Sequence, residues 1–156
     1  MKKAFNLGWI LVLSLTITFS SCSSNDDDSG SNNTATEIVA IENSMESGNW
    51  RITYFFDTDS EETSNYNSYN FSFNSDGTLT ATNVTNTYTG TWSVTNSSSS
   101  SSSSDDIDFN ISFSAPADFA ELSDDWDIIT HTSTKIELTD VSGGNGGIDF
   151  LTFEKN

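Results

Sequence analysis

From Gly48 onward, apolar residues recur at every second position in short runs separated by turn residues. Trp50, Ile52, Tyr54 and Phe56 alternate with Arg51, Thr53, Phe55 and Asp57, the pattern of a half-buried strand. Tyr69, Phe71 and Phe73 repeat it. "NSDGT" at 74–78 then supplies an Asp-Gly turn, a strong hairpin signal, with the return strand over 78–84. Tyr88, Gly90, Trp92 and Val94 share one face of the next segment. Ile107, Phe109, Ile111 and Phe113 then oppose Asp106, Asp108, Asn110 and Ser112. "APADFAELSDD" breaks the alternation with the single proline of the chain and predicts a helical turn. Residues 126–132 and 135–140 predict another hairpin, "SGGNGG" a turn, and 148–154 the last strand. In that strand Phe150 and Leu151 are adjacent, so the pattern does not separate its two faces. Ahead of all this, Ile38, Ile41 and Met45 lie at helical spacing and predict a short helix over 36–47, capped by Thr36.

The sum is eight strands in the order of an antiparallel meander, each with one polar face. The predicted fold is all-β: an eight-stranded antiparallel up-and-down barrel with a short N-terminal helix. Closure would remove exposed edges. A two-sheet sandwich uses the same pattern, and periodicity does not separate the two. The inward positions are read as Trp50, Tyr54, Phe56, Phe71, Phe73, Trp92, Phe109 and Phe113. An eight-stranded interior either fills with side chains or holds one small ligand. Tyr54, Phe71, Phe73, Trp92, Phe109 and Phe113 are therefore either core or ligand lining. Aromatic rings that each bury about 150–250 Å² favour the core.

Residues 1–21 have the parts of a secretory signal: Lys2 and Lys3, an apolar run from Leu7 to Phe19, then small residues. The run is shorter than the roughly 20 residues a membrane span needs. Phe19-Ser20-Ser21-Cys22 ends it, and Cys22 is the one cysteine in the chain. This stretch resembles the lipobox of bacterial lipoproteins, although Phe19 stands where that family usually carries an aliphatic residue. The resemblance implies cleavage before Cys22 and acylation of its sulfur and amino group. Asp26-Asp27-Asp28 just beyond resembles the surface-export signal of lipoproteins in the Bacteroidota, which implies the outer face of the outer membrane. Residues 22–35 read as a flexible acidic and serine-rich tether, and 36–156 as the single folded domain.

After residue 21 only Arg51, Lys135 and Lys155 remain as cations against 23 acids, a net charge of −20. Phosphate contacts need Lys and Arg, so nucleic acid is excluded as a partner. With no cysteine after Cys22, no disulfide braces the domain. Ser97–Ser104, eight serines in a row, reads as a long surface loop. His131 is the one histidine and reads as a turn or surface residue. No nucleophile elbow accompanies it, which argues against an enzyme. Oxygen ligands on loops suit calcium, and Asp57, Asp59, Glu61 and Glu62 in "DTDSEE" are its first candidates, without the spacing of an EF-hand. Solvated acidic loops explain the same residues.

Gly48-Asn49-Trp50 at the first strand, "YNFSFNSDGTLTAT" and "YTGTWSV" follow one another over 36–156. In that order they resemble the lipocalin-like domains of Bacteroidota lipoproteins. The resemblance implies that Trp50 plugs one end of the barrel and that the interior binds a small hydrophobic molecule. Lipocalins often lay a basic residue of the last strand across that tryptophan, and Lys155 is the residue here nearest that position. The expected protein is therefore an outer-membrane lipoprotein carrying a small apolar ligand. The alternative is a non-enzymatic interaction module with a filled core, whose acidic outer loops meet protein, glycan or calcium.

Overall fold

The computed structural model describes residues 29–96, 107–141 and 147–156. The signal segment, Cys22 and the tether as far as residue 28 lie outside these residues, as do the serine loop and most of the glycine-rich turn. In chain order the elements are α1 (Ser29–Glu46), β1 (Trp50–Asp57), β2 (Ser60–Glu61), a 3-10 turn (Thr63–Tyr66), β3 (Asn70–Phe73) and β4 (Thr78–Thr82). They continue with β5 (Thr87–Asn96), β6 (Ile107–Ser112), α2 (Ala117–Ala120), β7 (Asp124–His131), β8 (Lys135–Val141) and β9 (Ile148–Lys155).

Every strand pairs antiparallel with its neighbour, and β1 pairs with β9 from Trp50 opposite Lys155 to Phe56 opposite Phe150. That last pairing closes an eight-stranded up-and-down barrel of lipocalin-like form and excludes the sandwich. β2 is a two-residue ribbon folded back on the end of β1. β1 and β3 pair only at Trp50 opposite Phe71. Beyond that point the 3-10 turn seals the seam: the Glu62 amide donates to the Phe55 carbonyl at 2.9 Å, and the Phe55 amide to Thr63 Oγ1 at 2.8 Å.

The Asp-Gly turn is where the sequence places it. Gly77 takes φ +80°, which a side chain would strain, and Thr78 donates its amide to Asp76 Oδ1 at 2.9 Å. Gly90 has a different reason. A Cβ there would lie 2.4 Å from the Ser112 carbonyl and 2.7 Å from the Phe113 ring, so only glycine lets β5 and the end of β6 approach so closely.

Two expectations are corrected. α1 begins at Ser29, so Thr36 lies inside the helix instead of capping it, and residues 29–35 are helical instead of tether. Burial of Ile41 and Met45 against the barrel holds the helix, as tertiary packing generally does for short helices. The second correction is Tyr54. A bulge between Ile52 and Tyr54 shifts the period of β1 by one, so Phe55 turns inward while Tyr54 and Phe56 turn outward. Tyr54 is 41 % exposed and Phe55 only 1 %.

Candidate functional site

The interior is the first place to look for a site, and rings occupy it. Phe73 on β3 packs edge-on against Trp92 on β5 at 5.2 Å, Phe109 on β6 at 5.7 Å and Phe153 on β9 at 5.4 Å. β3 and β6 are separated by two strands, so the Phe73–Phe109 contact crosses the barrel. Phe55 on β1 and Trp126 on β7 do the same at 6.4 Å. Phe71, Phe73, Trp92, Phe109 and Phe113 are all buried, alongside Leu79, Ile111, Ile136, Leu138 and Leu151. Five of the six proposed lining residues thus come together inside. Tyr54 does not.

One end of the barrel is stopped by α1. Trp50 is fully buried there, and its indole Nε1 donates to the Met45 carbonyl at 2.8 Å, fixing the helix to the first strand. Lys155 Nζ lies 5.0 Å from the Trp50 ring centroid and 3.5 Å from the Ser44 carbonyl, so the basic residue does cross the tryptophan. His131 ends β7, and its Nε2 meets Glu37 Oε1 of α1 at 2.6 Å. It joins the helix to the barrel wall rather than lying in a turn.

The other end is stopped by the 3-10 turn and α2. Phe119 of α2 touches the rings of Tyr66 (5.4 Å), Tyr69 (4.9 Å), Tyr88 (4.8 Å) and Phe113 (5.3 Å). Tyr66 donates its hydroxyl to the Asp118 carbonyl. Sequence periodicity missed this stopper because Tyr66 and Phe119 sit on helical turns of four residues each, too short to show a period.

Carboxylates crowd the same end. Burial first, then the negative charges of Glu121, Glu62, Asp118 and Asp57, push the Tyr66 phenol well above its ordinary value. Glu121 is raised by burial and then by a hydrogen bond and charge repulsion from Glu62. Asp124 is pushed up to about 6, mainly by burial. The Asp125 amide, 2.9 Å from Asp124 Oδ1, pulls the other way.

The calcium candidates are divided. Asp57 and Glu62 contribute to the field at Tyr66, whereas Glu61 stands opposite Phe56 on the barrel exterior. Asp59 sits in the turn between β1 and β2, and its amide donates to the Asp57 carbonyl. Among the described residues, no three His, Cys, Asp or Glu side chains converge as a metal site.

Comparison with known proteins adds no assignment: no family model, curated protein or solved structure matches the chain. Outside the barrel, β7, β8, β9 and β1 present apolar and charged residues. The wall from β3 to β5 is a field of threonine, serine and asparagine, including the cross-strand pairs Thr78–Thr91, Thr80–Thr89 and Thr82–Thr87.

Proposed function

We propose that this protein is a lipid-anchored, non-enzymatic module of the bacterial outer membrane, exposed at the cell surface, which works through its exterior rather than by carrying a molecule inside its barrel. The observation that carries this reading is the meeting of Phe73 with Phe109, and of Phe55 with Trp126, across the interior. A barrel of this size holds either side chains or one small ligand. Here aromatic rings take the space, and α1 and the Tyr66–Phe119 cluster stop the two ends.

The competing reading is a lipocalin-like carrier of a small hydrophobic ligand. Its specific support is the fold together with Lys155 lying across Trp50. Tryptophan fluorescence separates the two, because Trp50, Trp92 and Trp126 are all core residues. The exterior reading predicts no saturable change when the soluble domain is titrated with fatty acids and other small hydrophobes. A saturable, stoichiometric change would support the carrier instead.

Anchoring rests on Cys22 and the sequence before it. Cys22→Ala should move the protein from the membrane fraction to the soluble one. A variant that stays in the membrane would end the lipoprotein reading. Calcium at "DTDSEE" remains a subsidiary proposal, since an ion would have to draw Asp57, Asp59, Glu61 and Glu62 together. A thermal midpoint that rises with added calcium would support it.

A further inference from the structure

The bulge that turns Phe55 inward also places aromatic residues outside. Directly opposed residues of an antiparallel pair share a face, so the register fixes what lies beside what. Phe56 opposes Phe150, Phe150 opposes Thr139, and Val141 opposes Ile148. Tyr54 precedes Phe56 by two positions on the same side of β1. Tyr54, Phe56, Phe150, Ile148 and Val141 therefore form one continuous patch over three strands. Tyr54 is 41 %, Ile148 46 % and Val141 61 % exposed. After residue 21 the chain carries 23 acids and three cations, and on that polar surface the register joins Tyr54, Ile148 and Val141 into one patch; Val39, Val84 and Ile129 are the other exposed large apolar residues among those described. Contiguous exposed apolar patches mark interaction sites, and tyrosine and phenylalanine are enriched in them.

Charge says what kind of partner fits. One cross-strand row runs Glu61, Phe56, Phe150, Thr139, Asp127 over β2, β1, β9, β8 and β7. An acid closes each end of that row. Four strand spacings separate the two acids, about 19 Å at about 4.8 Å each. The cations of the same wall, Arg51 and Lys135, face Glu154 at 3.7 Å and Glu137 at 2.6 Å. The wall thus offers an apolar centre between negative flanks.

We infer that the outer face of β8, β9 and β1 docks a partner polypeptide whose apolar anchor is flanked on both sides by lysine or arginine. The inference rests on the exterior as the working surface, and deepens that reading. Two features argue against other occupants. A second copy brings the same acidic flanks, which repel their own kind. An anionic membrane surface is repelled by the whole domain.

The test uses the soluble chain and a synthetic peptide, Lys-Lys-Leu-Phe-Ser-Leu-Phe-Lys-Lys, with a twin in which glutamate replaces every lysine. The expected result is saturable binding of the basic peptide that weakens as salt rises, and none of the twin. Phe56→Ser combined with Phe150→Ser should weaken binding by about tenfold or more, as loss of a central anchor does. Tyr54→Ser with Ile148→Ser, at more exposed positions, should weaken it without altering the melting of the barrel. Glu61→Gln with Asp127→Asn should remove most of the salt dependence.

Binding unchanged in both apolar double variants would overturn the proposal, because the peptide would then be responding to general acidity. Two other outcomes overturn it as well. One is a concentration-dependent mass in light scattering that the Tyr54→Ser, Ile148→Ser variant abolishes, which assigns the patch to a second copy. The other is binding to neutral phosphatidylcholine vesicles that the same variant abolishes, which assigns it to lipid. None of these results bears on whether the interior is filled, which the fluorescence titration decides separately.

Discussion

Phe73 on β3 and Phe109 on β6 meet edge-to-face at 5.7 Å in the middle of the barrel, with their planes 66° apart. Both rings are almost wholly buried. Phe73→Ala should destabilise the domain by about 3–5 kcal/mol, since surrounding rings cannot collapse into the space. The void should also admit small apolar probes such as benzene, which the parent excludes. Denaturant unfolding and a benzene titration check both. A loss below about 1 kcal/mol would mean that the interior was loosely filled from the start.

At the helix end, Trp50 holds α1 by its indole and is covered by Lys155. Trp50→Phe keeps most of the apolar area but orphans the Met45 carbonyl, at a cost of about 1–3 kcal/mol. Lys155→Met should cost less, about 0.5–1 kcal/mol, because the cation–π contact reaches solvent. Equal losses in urea unfolding would mean that the tryptophan hydrogen bond contributes little.

Phe119 stops the opposite end by contacting five rings, those of Tyr66, Tyr69, Phe71, Tyr88 and Phe113. Phe119→Ala should cost about 3–5 kcal/mol, whereas Tyr66→Phe should cost only about 1 kcal/mol because the Asp118 carbonyl lies on an exposed residue. In amide exchange, Phe119→Ala should deprotect the 3-10 turn before the strands. Uniform loss of protection would mean that the stopper and barrel open as one unit.

The acidic end sets an unusual pH dependence. Asp124 titrates near 6 in the folded chain against an ordinary 3.8, so between those values the native state holds a proton that the unfolded chain has released. Stability from this group is fully present below the lower value and is lost as pH rises through the upper one. Glu121 is shifted in the same direction. Asp124 is half-buried and partly screened, so the change is about 1 kcal/mol. Melts from about pH 4 to neutrality should show stability falling. Asp124→Asn should flatten that slope and raise neutral-pH stability. Stability that instead climbs toward neutrality would show that acids held low, such as Asp76 beside Thr78, dominate.

The strands were legible in the sequence because their alternation is strict: Phe71 and Phe73, Trp92 and Val94, Phe109 and Ile111 all point inward as the period of two requires. The closed barrel was the expected fold, but the period of two by itself did not fix closure. It depends on β1 meeting β9 through residues about a hundred positions apart, and no local period records that pairing. Tyr54 was misplaced for a related reason. Its neighbours Phe55 and Phe56 are equally apolar, so the sequence does not mark where the bulge shifts the register, and only cross-strand pairing decides it. The stopper at the acidic end escaped because Tyr66 and Phe119 belong to no periodic segment. The exterior patch followed from the same bulge and was hidden with it.

The central claim is that side chains fill the barrel, and native mass spectrometry tests it most directly. The soluble chain beginning at residue 23 is purified without detergent and measured before and after incubation with fatty acids and other small hydrophobes. A clean apo mass in both spectra is the predicted result. A discrete added mass that organic solvent strips away would contradict it, and would show that the rings around Phe73 move aside for a cargo.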